Sequence, residues 1–438
     1  MELFGYQKAA LERVAGRRDC AFYHDMGLGK TFTGAEKLMQ DLCWQTALIV
    51  CQKSKVQDWV DHFKEHYGRS VKVFDLTDEA QSRVFYQDAV FARRYLIVGI
   101  INYDLIWRRP QLMNMTCFSV MFDESSLLQN TSSKRTKAAM QLALKANSVI
   151  LLSGTPVDGK YERLWSQLYM LGWHITERMF WRQYVETETT MVEGFPITKV
   201  VGYKNEERLA RKMKALGCDF LKTEDVLDLP EQRFVDVWCD CTKAYAKFAR
   251  DHYVEAYGQE FVGDTTFGAM TAERMLAGAY SEEKLRAFED LVAGTSDRIV
   301  VFYNFDVELE AMQGQLDKYE RPMSVLNGKR HDLKAFRGNR DGIVFVQYQA
   351  GAMGVNLQEA QYMVYFSPPL ASSLFEQSKK RIHRVGQEKP CTYYVLKSKG
   401  TIEEKIYSTL AIRQDYTEKL FEMGEVIRWQ VRRTSRTA

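Results

Sequence analysis

The chain has 438 residues, 46% hydrophobic and 27% charged, enough apolar mass for two to three domains at about 150 residues each. Sixty Lys plus Arg against 57 Asp plus Glu leave a net charge of +3, which excludes a histone-like basic protein and an acidic disordered one. A nucleic-acid partner stays open, because a phosphate-binding groove needs local rather than global charge. Eight cysteines with no C-x-x-C pair among them argue against a disulfide scaffold, structural zinc and a thioredoxin-type motif. The first residues lack the apolar core of a signal peptide, and no apolar run reaches the ~20 residues of a membrane helix. These features predict a soluble, cytoplasmic protein.

In chain order, the first signal is His24-Asp25-Met26-Gly27-Leu28-Gly29-Lys30-Thr31 followed by a helical pattern. Glycines let backbone N–H groups close around phosphate oxygens at a helix N-terminus. Lys30 would reach the β- and γ-phosphates, and the Thr31 hydroxyl would ligate magnesium. His24 stands where the strict phosphate-loop pattern has its first glycine. Thr46–Cys51, Tyr95–Ile101, Phe118–Phe122 and Ser148–Leu152 are apolar runs without polar alternation, the pattern of strands buried on both faces of a parallel sheet. Helical patterns at Val56–Tyr67 and Lys134–Leu144 lie between them, so this part reads as α/β. The third strand runs into Asp123-Glu124-Ser125-Ser126, and a carboxylate pair at a buried strand end is costly unless a metal or partner meets it. Asp123 suits magnesium, and Glu124 the attacking water. The fourth strand leads into Ser153-Gly154-Thr155-Pro156.

From about 160 to 295 the pattern becomes charge-mixed and helical (Glu206–Leu216, Thr242–Tyr257, Ala272–Val292), with a turn at Leu229-Pro230. Buried-strand runs return at Arg298–Phe302, Gly342–Val346, Tyr362–Phe366 and Thr392–Leu396. The second run leads to QAGAMGVNL, and QSKKRIHRVGQ follows the third. Arg381 and Arg384, three apart, would share a face if helical; such a pair is ordinarily solvated charge, and facing a phosphate it would act as arginine fingers. A last helix, Ile402–Glu422, precedes a basic tail read as a frayed terminus. Two further patterns are read as structural: His62…His66 matches an inverted zinc-protease motif but falls inside a helix, and Cys239-Asp240-Cys241 would put two buried thiols on one strand face. The expected architecture is two α/β lobes with parallel sheets and a mostly helical insert. The expected divisions are 1–232 with a helical extension from about 160, 233–295, 296–422 and the tail 423–438.

DMGLGKT, DESS, SGTP, AGAMGVNL and QSKKRIHRVGQ, in this order, resemble the Swi/Snf-like branch of the superfamily 2 helicases and DNA translocases (DEAD/DEAH-box-like), in a compact form such as phages and bacteria carry. LFGYQ, ALIVCQKSKVQDWVDHF, VGIINYDLI, VLDLP and EEKIYSTLAIRQDYTEKL are similar to further segments of that branch. The resemblance implies two tandem RecA-like lobes and ATP hydrolysis with magnesium, driving movement along double-stranded DNA held mainly by its phosphates. It implies that Gln7 reads adenine, and that Asp25, Met26, Gly27, Leu28, Gly29, Lys30 and Thr31 cradle the phosphates. Thr31 and Asp123 would hold magnesium, Glu124 the water, and Arg381 and Arg384 the transferring phosphoryl group. Ser153 and Thr155 would link nucleotide state to DNA, Gly354 and Asn356 would lie between the two ligands, and Lys53, Ser54 and Lys55 would touch DNA. Ser126, Gln129, Ala352 and Gly159 depart from the residues common in that branch (His, Lys, Gly and Asn). The chain is expected to work as a monomer. A strand-separating DNA or RNA helicase is the nearest alternative, and a non-catalytic DNA-binding or scaffold protein the alternative of another class.

Overall fold

The computed structural model describes residues 2–40, 46–91, 96–192, 195–351 and 355–434. The chain forms two units: Met1–Val226 together with the chain from Asp415 on, and Leu227–Gln414. The first unit holds β1 (Cys20–His24), β2 (Thr46–Cys51), β3 (Val71–Asp75), β4 (Leu96–Asn102), β5 (Phe118–Asp123), β6 (Ser148–Ser153), β7 (Val185–Val192), β8 (Phe195–Tyr203) and β9 (Cys218–Leu221). Seven of these make one sheet in the order β3-β4-β2-β5-β6-β1-β9, with every pairing parallel. Because β-strand side chains alternate, Ala21 and Tyr23 enter the core on one face while Cys20 and Phe22 enter the core on the other. The helices Lys30–Gln40 and Val56–Tyr67 supply Leu38, Trp59 and Phe63 to the second core. Burial on both faces explains why these strands lack polar alternation.

The second unit holds β10 (Gln232–Cys239), β11 (Tyr253–Ala256), β12 (Gln259–Val262), β13 (Ile299–Tyr303), β14 (Met323–Leu326), β15 (Ile343–Gln347), β16 (Tyr362–Tyr365) and β17 (Cys391–Ser398). Its sheet runs β10-β17-β16-β13-β15-β14, again wholly parallel, with a core on each face. Two parallel sheets flanked by helices are the tandem lobes expected.

The 160–295 stretch differs from the helical expectation. It contains the antiparallel hairpin β7–β8, strand β9 of the first sheet, edge strand β10 of the second, and the small hairpin β11–β12. The helix read over Thr242–Tyr257 ends at Asp251, where His252 turns left-handed and the chain enters β11. Cys239 is buried at the end of β10, whereas Cys241 lies beyond it and is exposed. The last helix continues through the basic segment, from Ile402 to Thr434. No helix among the described residues is long and apolar enough to cross a membrane.

Candidate functional site

Parallel strands place all their carboxyl ends on one edge, the edge at which open α/β sheets bind ligands. In the first unit, β5, β6 and β1 are neighbours there, so the phosphate loop, Asp123-Glu124 and Ser153–Pro156 emerge side by side. The loop after β1 turns through Gly27 (φ 88°) and Gly29 (φ 66°), left-handed conformations that favour glycine, and Lys30 opens the next helix. Lys30 Nζ donates to the carbonyls of His24 (2.9 Å) and Asp25 (3.2 Å). A Cβ built on Gly154 would stand 2.9 Å from Met26 Cγ and 3.3 Å from Lys30 Nζ. The SGTP turn therefore lies against the phosphate loop. Thr31 follows Lys30 in the first turn of the helix, and Leu28 is buried under the loop.

Gln7, on the helix Gly5–Arg13, is buried. Its Nε2 donates to the carbonyls of Leu28 (3.1 Å) and Gly29 (3.3 Å), and its Oε1 accepts from Phe4 N at 2.9 Å. A Cβ on Gly29 would sit 2.6 Å from Gln7 Nε2, so the glycine is what lets this amide reach the loop. The loop is held from the far side as well. Asp25 Oδ2 accepts from Thr223 N (3.1 Å) and Thr223 Oγ1 (3.0 Å). His24, in the first-glycine position, is wholly buried and bonds Asp219 Oδ2 at 2.8 Å.

Asp123 Oδ2 accepts from Trp59 Nε1 at 2.9 Å, and its carbonyl accepts from Tyr103 Oη at 2.7 Å. Desolvation at the strand end raises the Asp123 carboxyl above its ordinary range, while the Trp59 hydrogen bond and the charges of Lys30 and Lys55 pull the other way. Glu124 has φ 53° and ψ 55°, a left-handed conformation that costs a non-glycine residue of order 1 kcal/mol. Ser153 Oγ accepts from Thr155 N at 3.2 Å. The buried Thr155 hydroxyl has no partner among the described residues.

These residues fit a nucleoside triphosphate with a divalent cation. The glycine turn sits at a helix N-terminus, where N–H groups favour anions, the lysine donates to carbonyls that phosphate oxygens can replace, and a desolvated carboxyl faces the same edge. Lys30, Thr31 and the loop would hold the phosphates, and Thr31 and Asp123 the magnesium. Among the described residues no cluster of three or more His, Cys, Asp or Glu offers another metal centre. His62 packs among Phe32, Trp59 and Phe63, and burial followed by the neighbouring His66 holds it down at about 4.

Lys53, Ser54 and Lys55 form a single 3-10 turn after β2, at the same edge. Lys53 and Ser54 are exposed, while Lys55 Nζ pairs with Asp58 at 2.6 Å. In the second unit, Arg381 and Arg384 lie beyond the helix Ser372–Lys379 in turns rather than on one helical face. Arg381 is buried, and its carbonyl accepts from Leu357 N at 3.1 Å. Arg384 Nη1 donates to Asn356 Oδ1, so the structure joins these two expected residues. Gln387 ties the turn down by donating to the carbonyls of Gln358, Ala360 and Ile382. Gly354 lies outside the described residues.

Sequence reasoning passed over Trp59, Tyr103, Gln167, Asp219 and Thr223, all of which hold site residues in place. Gln167 did leave a trace: with Ser166 it interrupts an otherwise apolar and aromatic stretch, Leu164–Leu171.

Comparison with known proteins bears on the whole chain. An uncharacterized ATP-dependent helicase of Mycoplasma genitalium is 21% identical over 94% of this chain and 42% of its own length. The SWI/SNF-related matrix-associated actin-dependent regulator of chromatin subfamily A-like protein 1 of Drosophila melanogaster is 23% identical over 90% of this chain and 53% of its own. The chain thus spans about half the length, or less, of these curated relatives. The solved Sulfolobus solfataricus SWI2/SNF2 ATPase core in complex with dsDNA is 20% identical, covering 98% of this chain and 94% of that one at a TM-score of 0.44. Residues 283–386 match the helicase conserved C-terminal domain. Since residues 6–280, more than half of its length, match the SNF2-related domain, the chain belongs to the SNF2-related family.

Proposed function

We propose that this chain hydrolyses ATP and uses the energy to move along double-stranded DNA without separating its strands. The observation that carries the reading is the meeting of Lys30, Gly154 and the Asp123-Glu124 pair at one carboxyl edge. Membership of a family whose relatives are named ATP-dependent helicases supports it. Lys30 leaves the His24 and Asp25 carbonyls for the β- and γ-phosphates. Glu124 orients the attacking water and takes its proton. Bound magnesium would neutralise phosphate charge. Arg381 and Arg384 are assigned the charge that develops on the transferred phosphoryl group, and Asn356 holds Arg384 ready. Gln7 reads the adenine edge. Lys53 and Ser54 offer an exposed turn to DNA phosphates, a contact that carries no sequence preference.

A second reading, a strand-separating helicase, is favoured by one observation: the β7–β8 hairpin, an antiparallel pair outside the main sheet, is the kind of element that serves as a wedge. One preparation decides between them. ATPase is measured with no nucleic acid, single-stranded DNA, duplex DNA and RNA, with Glu124→Gln as the inactive control. Displacement of a triplex-forming strand is then set beside unwinding of a forked duplex. Duplex should stimulate most, salt should weaken the stimulation, and triplex displacement should occur with little unwinding. Efficient fork unwinding, or stimulation by RNA alone, supports the helicase. Absence of ATPase under every condition leaves the non-catalytic alternative.

A further inference from the structure

Taking the edge of the first unit as a hydrolytic centre, we propose that Gln167 is a positioning residue that sets Glu124 against the attacking water. Gln167 lies on the helix Trp165–Met170 and is 0% exposed. Its Oε1 accepts from Ser125 Oγ at 2.8 Å and from Tyr23 Oη at 3.2 Å, and its Nε2 donates to the Pro156 carbonyl at 2.7 Å. One buried amide thus bonds three segments of the site: β1 just before the phosphate loop, the turn after β5, and the SGTP turn after β6. Those strands are neighbours in the order β5-β6-β1, so the amide fixes the register of the loops they carry.

The bond to Ser125 has the most chemical consequence. Glu124 is left-handed, and a strained residue keeps its conformation only where its neighbours over-determine it. Its two neighbours are pinned, Asp123 by Tyr103 Oη on its carbonyl and Ser125 by Gln167 on its hydroxyl. The next turn is fixed from the same helix, where Ser166 Oγ donates to the Leu128 carbonyl at 2.6 Å. A satisfied buried network of this kind rigidifies what it joins. With Gln167 lost, Ser125 Oγ is left to find a new partner in a dry core, the Pro156 carbonyl keeps only the longer bond from Gln129 Nε2 at 3.3 Å, and the backbone of Glu124 is released. Lys30, by contrast, rests on the His24 and Asp25 carbonyls without help from Gln167. Loss of the amide should therefore act on turnover and leave nucleotide capture alone.

The test is steady-state ATPase with saturating duplex DNA, read as kcat and KM for ATP separately, with melting followed in parallel. Gln167→Leu keeps the volume and removes the amide, and Ser125→Ala removes the other half of the same bond. Each should lower kcat by ~10-fold or more, since small misplacement of a catalytic group is costly, while KM stays within about two-fold. The double variant should lose no more than the worse single one. Wild-type kcat in a folded single variant, a rise in KM with kcat unchanged, or additive losses overturn the proposal. If Gln167→Leu does not fold, Ser125→Ala alone decides by the same criteria. A wild-type chain that neither binds nor hydrolyses ATP overturns the hydrolytic reading instead.

Discussion

At the foot of the phosphate loop, Arg13, Asp219 and His24 form a line of charge and hydrogen bonds that joins the first helix to β9 and β1. Arg13 grips Asp219 with two bonds, Nε at 2.5 Å and Nη2 at 2.8 Å, and His24 adds a third at 2.8 Å. Burial opposes ionisation of Asp219, yet the hydrogen bonds from His24 and Arg13 and the charge of Arg13 outweigh it and hold the carboxyl down at about 2. Burial also pushes the His24 imidazole down, against the raising effect of Asp219, so the ring is neutral near pH 7 and donates from Nε2. Both shifts act in one direction. A carboxyl lowered from 3.8 to about 2 stabilises the fold fully above about pH 4 and loses that contribution as pH falls through about 2. The amount is about 2 kcal/mol. A neutral buried imidazole likewise resists charging in acid. Denaturant unfolding of Asp219→Asn between pH 7 and pH 2.5 should show a lower plateau and a flatter acid limb; an acid limb parallel to wild type would refute the assignment. Lys30, Asp123 and Glu124 were legible because their chemistry sits in contiguous motifs. Asp219 and Gln167 were not, because their partners lie 195 and 42 residues away and only the sheet order brings them together.

Among elements, the strands were the most legible. β2, β5 and β6 are apolar at nearly every position because both faces of the sheet are covered. The hairpins were the least legible. β7 alternates in the two-residue period (Val185-Glu-Thr-Glu-Thr-Thr-Met-Val192), but its charged and threonine side chains resemble those of a solvated helix. In the second unit, the run after Thr242 keeps a helical pattern past Asp251, and only the left-handed His252, Tyr257 and Gly258 divert it into β11–β12. The helix read over Ala272–Val292 is likewise two helices. The first ends at Ala277, and the second is capped by Ser281, whose hydroxyl accepts from Lys284 N at 3.3 Å. Between elements, Gly342 marks where β15 begins under the helix Lys334–Gly338. A Cβ there would lie 2.7 Å from Phe336 Cα and 2.8 Å from Phe336 O, and backbone cannot swing aside as a side-chain tip can. Gly342→Ala should cost roughly 1–3 kcal/mol by overpacking, read as a lower melting temperature of the second unit. An unchanged melt would mean that the helix shifts freely.

For the molecule as a whole, the second unit has an ionic pair at its centre. Lys284 and Glu403, 0% and 1% exposed, meet through two hydrogen bonds of 2.6 and 2.7 Å, joining the helix Glu282–Ala293 to the helix Ile402–Thr434. Removing one partner strands the other in a dry interior, at a cost of roughly 3–5 kcal/mol. Lys284→Met should therefore unfold the second unit selectively, with amide exchange rising in β13 and β16 while β2 and β5 stay protected. Lys284→Met with Glu403→Leu should recover most of the loss; equal exchange in both units would show that the pair acts globally. The same last helix crosses from one unit to the other between Gln414 and Asp415. Beyond that point Tyr416 packs edge-on against Tyr203 at 4.9 Å, its carbonyl accepts from Tyr161 Oη at 2.9 Å, and Thr417 Oγ1 accepts from Gly159 N at 3.2 Å. The unit whose synthesis starts first is thus completed last. On a ribosome adding about 5–20 residues per second, the Tyr161 hydroxyl waits roughly 13–50 s, while the 255 residues up to Tyr416 are made, before that carbonyl emerges. A nascent chain stalled between Leu227 and Gln414 already carries the whole phosphate loop, while Tyr161 and Tyr203 still lack the ring and carbonyl of Tyr416, and a chaperone or a protease acting on the unfinished unit would meet them there.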